Sequence, residues 1–148
     1  MAKVRGGKKL EEAMVRLAAK VSKPASLRVG FLENRTYPDG TSVPMVAAIN
    51  EYGRPSVGQP PRPFFRNMIA AKQGEWPKAI AGLLKQTDYD AARALDVAGY
   101  AIAGQLRQSI NDLTDPPLAA STIRRKGFSK PLIDTSVMVN SVDHEVKT

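Results

Sequence analysis

The sequence predicts an α+β domain: a long central helix and several shorter helices packed on a small, mainly antiparallel sheet, with a Pro-rich loop beside them. Three observations predict it. Apolar residues recur every three or four positions over the long stretch that begins near Thr87, and two stretches near opposite ends of the chain alternate apolar and polar residues. Pro55, Gly58, Pro60, Pro61 and Pro63 break any regular element between Arg54 and Pro63. Helices that flank strands so distant in sequence give an α+β order rather than repeated βαβ units.

Residues 1–9 carry Lys3, Arg5, Lys8 and Lys9, two glycines and no acid, and are expected to be a flexible basic N-terminus that a partner orders. Residues 10–148 then form a single domain. Leu10, Met14, Leu17 and Val21 fall at helical spacing, predicting an amphipathic helix that ends before Lys23-Pro24 and lays this stripe on the core. Ser26 to Leu32 reads as a strand, followed by a turn at Pro38-Asp39-Gly40. A short helix with Pro44 in its first turn precedes a stop at Gly53.

Beyond the Pro-rich loop, helix resumes from Phe64 to about Lys72 and again from Glu75-Trp76-Pro77, with Trp76, Ile80, Leu83 and Leu84 on one face. Thr87 and Asp90 resemble a capping box for the longest helix. There Leu95, Gly99, Ile102, Leu106, Ile110 and Leu113 form the core stripe, and a run of alanines lets a neighbour approach closely. A short helix spans about Ala119 to Lys126 and stops at Gly127, and Asp134 or Thr135 caps a further turn through Asn140. Ser141 to Lys147 closes the chain as a strand with Val142, His144 and Val146 on one face.

At 148 residues and 16.0 kDa the chain is one domain of ordinary size, and 43% hydrophobic residues suffice for a real core. Zero Cys excludes disulfides, thiolate nucleophiles and Cys-ligated metals, and the single His144 excludes a His-rich metal site; no cofactor is expected. Lys and Arg number 22 against 14 Asp and Glu, a net charge of +8 that favours nucleic acid, an anionic membrane or an acidic protein as partner. No apolar run approaches the roughly 18 residues of a bilayer span, and no apolar segment follows the first cations. The expectation is a soluble, unexported protein without a membrane partner.

An enzyme would have to draw on Glu51, Asp134, Asp143, His144 and Glu145, yet on a strand Asp143 and Glu145 point away from His144, and no Gly-rich phosphate loop is present. The chain is therefore read as no enzyme. A nucleic-acid reading rests on Arg54, Arg62, Arg66 and Lys72, interleaved with Tyr52, Phe64 and Phe65, and on a second acid-free cluster of Arg124, Arg125, Lys126 and Lys130. Phe64-Phe65 beside Pro63 also suits an anchor into the core or into an oligomer interface.

Four segments in order, Ala48-Ile49-Asn50-Glu51-Tyr52-Gly53, Pro61-Arg62-Pro63-Phe64-Phe65-Arg66, Thr122-Ile123-Arg124-Arg125-Lys126-Gly127 and Pro131-Leu132-Ile133-Asp134-Thr135-Ser136, resemble the tailed-phage virion morphogenesis proteins, also called neck or tail-completion proteins. The resemblance runs from about Leu27 to Val146, with Ser136 standing where that family usually has Gly. It implies a structural virion subunit that joins head to tail as a ring, commonly a hexamer. Adjacent head-completion and tail-tube or tail-terminator proteins would be its neighbours, with non-specific contact to DNA in the lumen a further option. It also implies location in the virion, and in the bacterial host cytoplasm during assembly. Arg54, Arg62, Phe64, Phe65, Arg66, Arg124, Arg125 and Lys126 are the residues expected to face the neighbours.

Overall fold

The computed structural model describes residues 6–32, 34–127 and 136–148, with the side chain of Lys126 left undescribed. Its centre is helix α5, Ala91–Asp112, whose 22 residues extend about 33 Å. Of the expected stripe, Gly99, Ile102, Leu106 and Ile110 are buried and Leu95 and Leu113 half-buried, while Ala94, Ala98 and Ala103, expected as the close-approach surface, are buried as well. Strands β1 (Ser26–Phe31) and β2 (Val142–Lys147) pair antiparallel, with Ser26 opposite Lys147 and Phe31 opposite Val142. Leu27, Val29, Phe31 and Val142 carry the sheet into the core.

Gly99 makes that approach close. A Cβ built there would lie 2.5 Å from His144 Cδ2 and 2.6 Å from a Leu27 methyl, so the sheet settles on α5 at a distance only glycine permits. Helix α4, Trp76–Gln86, lies along α5, and Trp76 Nε1 donates to Gln105 Oε1 at 2.9 Å. Asp90 caps α5 by accepting from the Arg93 amide. Thr87, expected to open α5, instead closes α4 by donating its hydroxyl to Leu83 O at 3.0 Å. Asp88 and Tyr89, both at positive φ, separate the two helices, so one capping box cannot serve both.

Helix α2, Val43–Tyr52, starts at the Ser42 cap with Pro44 in its first turn and ends at Gly53, φ 76°. The Pro38-Asp39-Gly40 turn precedes it, with Asp39 Oδ1 accepting from the Thr41 amide at 2.9 Å and this bond holding the Asp39 carboxyl below its usual pKa. Helix α3, Phe64–Lys72, occupies the predicted range. Two short helices, α6 (Ala120–Lys126) and α7 (Val137–Asn140), complete the described chain, and Gly127 stops α6 at φ 78°. The expected Asp134 or Thr135 cap lies outside the described residues.

The N-terminal helix departs from expectation twice. Helix α1 spans Gly7–Val21, so Gly7, Lys8 and Lys9 are helical rather than part of a flexible arm. The stripe of Leu10, Met14, Leu17 and Val21 does not pack on the core: these side chains are 40–64% exposed, and no residue of α1 is buried. Helical spacing specifies that an apolar face exists, but not which surface covers it. The Lys20 ammonium pairs with Asp88 at the α4–α5 turn and ties the C-terminal end of α1 to the body.

Candidate functional site

Asn50, Glu51, Arg62, Phe64 and Arg66, drawn from two of the recognised segments, fold into one interlocked unit. The Arg62 amide donates to Asn50 O at 2.7 Å, and Gln59 Nε2 donates to Asn50 Oδ1 at 3.3 Å. Between them the Arg54 amide donates to Gln59 O at 2.9 Å and the Gln59 amide to Arg54 O at 3.1 Å, closing the 3₁₀ turn Pro55–Val57. Gly53 is required at this junction. Its φ is +76°, and a Cβ would fall 2.7 Å from Pro61 N and 2.8 Å from Gln59 O, backbone atoms that cannot yield.

Glu51 is the electrostatic centre of the unit. Pro63 gives α3 no side-chain cap, leaving the first amides of the helix without an intrahelical acceptor. The Glu51 carboxylate, 5% exposed as a residue, reaches across from α2 and accepts from the amides of Phe65 (2.9 Å) and Arg66 (3.2 Å). A carboxylate at a helix N-terminus also meets the positive end of the helix dipole. Arg66 Nε donates to the same carboxylate at 2.7 Å, its Nη2 donates to Glu51 O at 3.0 Å, and its guanidinium lies 5.0 Å from the Tyr52 ring centroid. Glu51 thus holds two elements together, and every oxygen of its carboxylate is engaged in that task.

The residues expected to face a neighbour divide sharply by burial. Arg62 and Phe64 are corrections. Arg62 is 6% exposed, with Nε donating to Pro116 O at 3.3 Å, and burial lowers its guanidinium below the ordinary arginine pKa. Phe64 is 1% exposed and packs edge-on against Phe31 with centroids 6.1 Å apart. The prolines on either side of Arg62 turn its side chain inward against the segment before α6, and Phe64 fills the core beneath α3. Phe65 is half-buried under Gly30, and Arg66 is exposed over Tyr52. Arg54, Arg124 and Arg125 are exposed, the last two on α6, which Lys126 ends.

Around this unit, β1, α2 and α3 border an apolar groove of about 400 Å³. Phe31, Ala48, Tyr52, Phe65 and Ile69 line it, and its two charged members, Glu51 and Arg66, neutralise one another. Tyr52 on its rim is 66% exposed. The strongest signal that sequence reasoning misassigned is the α1 stripe, which it placed in the core. It also missed the partner of His144: the ring Nε2 is 2.9 Å from Asp96 Oδ1 on α5 and stands edge-on to Tyr100. Asp96 sits in the helix at a position that only the folded sheet brings to β2.

Among the described residues, no group of three His, Asp or Glu is placed to hold a metal ion, and no helix is long and apolar enough to cross a membrane. No protein-family profile, curated protein or solved structure matches the chain.

Proposed function

We propose that this chain is a structural subunit of a tailed-phage virion that assembles as a ring at the head–tail junction, as a neck or tail-completion protein. The observation that carries the reading is α1, whose apolar stripe is left uncovered by its own chain. Contiguous apolar surface of this kind marks an interaction site on a soluble protein. Two further observations support it. The first two segments of the resemblance are joined physically through Asn50, Glu51, Arg62 and Arg66, giving their spacing a structural reason. Ser136, where the family usually has Gly, sits at φ 59°, the left-handed conformation that glycine adopts without steric cost.

In this reading the partners are further copies of the chain, probed first as a hexamer, together with head-completion and tail-tube or tail-terminator proteins above and below. The subunit needs no cofactor and performs no catalysis. Arg54, Arg124 and Arg125 supply exposed positive charge for acidic neighbours or for non-specific contact with DNA. The +8 charge also supports a second reading, a basic nucleic-acid-binding module. Negative-stain imaging of the purified protein mixed with tail tubes distinguishes them. Rings seated on tube ends are expected; unbound monomers that instead form tight, sequence-selective DNA complexes would replace the ring reading with the second.

A further inference from the structure

We propose that α1 is an assembly arm: its Leu10, Met14, Leu17 and Val21 face seats in the groove between β1, α2 and α3 of a second copy of the chain. The inference rests on the ring reading above and names the interface that would close the ring. An isolated helix of 15 residues is marginal in water, so α1 gains most of its stability from whatever covers its apolar face. At 100° per residue the stripe contains no charge, with Lys9, Arg16 and Lys20 along one flank and Glu11 along the other. The groove matches it, being apolar along its floor and internally neutralised by the Glu51–Arg66 pair. An apolar helix face with anchors one, two and three turns apart is the form in which helices dock into grooves.

Position favours a second copy over other occupants. Lys20 ties α1 to Asp88, beside the N-terminal end of α5. The groove lies at the other end, where Ser109 Oγ of α5 donates to Phe64 O at 2.7 Å. Asp90 and Ser109 are about 28 Å apart along the helix at 1.5 Å per residue. Two complementary surfaces at opposite ends of one protomer make a head-to-tail contact, which repeats from subunit to subunit and closes when the rotation permits. A helix about 22 Å long and about 10 Å wide, seated on one face, covers roughly 220 Å² on each partner, so the α1 seat is one contact within a larger ring interface and the four stripe side chains are its anchors.

The chain has no Cys, so introduced thiols report contact without background. Chains carrying Met14→Cys are mixed with chains carrying Ala48→Cys, both at exposed positions, and treated with a short bis-maleimide. The expected result is a product joining one chain of each kind, no product from either variant alone, and a ladder from the double variant. Met14→Lys and Ala48→Lys are each expected to abolish the assembly while leaving the melting temperature of the dilute protein unchanged. Self-linking of Met14→Cys without the mixed product would overturn the inference in favour of α1–α1 pairing. Binding of α1 to anionic vesicles, again without the mixed product, would overturn it in favour of a membrane surface. Closed rings that survive both lysine substitutions would sink the arm and leave the ring reading standing. A mixed product in open filaments would uphold the arm and refute the ring, and a monomer giving no mixed product would refute both.

Discussion

Replacing Glu51 by Ala should destabilise the protein by about 2–4 kcal/mol. The carboxylate accepts from two amides at the start of α3, at 2.9 and 3.2 Å, where no local side chain can substitute. Each amide left without its acceptor costs about 1–2 kcal/mol, and the two bonds are themselves the cap, so they are counted once. The 2.7 Å contact with Arg66 adds little, because the Arg66 side chain is more than half exposed and solvent screens the pair. For a chain of this length, 1 kcal/mol corresponds to about 2–4 °C in Tm, so a fall of roughly 4–16 °C is expected. The assay is thermal unfolding by circular dichroism at one fixed chain concentration for wild type and variant, since assembly makes Tm depend on concentration. Glu51→Gln, which keeps an acceptor oxygen but not the charge, should fall between the two. A Glu51→Ala protein within about 0.5 kcal/mol of wild type, the level of an ordinary surface substitution, would show that Glu51 does not hold α2 to α3.

Phe64→Ala should cost about 3–5 kcal/mol in urea unfolding, because its ring is fully enclosed by the chain's own core. Gly99→Ala should destabilise by about 1–2 kcal/mol despite a helix-propensity gain near 1 kcal/mol, since the new Cβ displaces the His144 ring and Leu27; a more stable variant would refute that packing. Ser136→Gly should be neutral to stabilising by up to about 1 kcal/mol in the same assay, relieving a left-handed serine. DNA binding should be sequence-independent, with a Kd of roughly 0.1 mM to 1 µM at physiological salt, and should weaken steeply as salt rises in a fluorescence-anisotropy titration.

Local chemistry explains which features were legible in the sequence. The buried stripe of α5, the stop at Gly53, the α3 range and both strands follow from spacing and punctuation that act within a few residues. The capping of α3 by Glu51 was not legible, because the acceptor lies on a different helix and reaches its donors only after the Pro-rich loop has folded back. Arg62 and Phe64 read as surface contacts because Arg beside Pro-Phe-Phe suits an interface as well as a core; long-range contacts place them inside, Arg62 through Pro116 O and Phe64 through the Phe31 ring. The α1 stripe was legible as a face and illegible as to its partner, because periodicity carries no information about which molecule supplies the other side.

Native mass spectrometry of the full chain tests the central claim most directly. A ring subunit with a head-to-tail interface predicts one dominant closed species at a small integer multiple of 16.0 kDa, lost on Met14→Lys substitution. A stable monomer across the accessible concentration range, or a dimer that Met14→Lys leaves intact, would contradict the account.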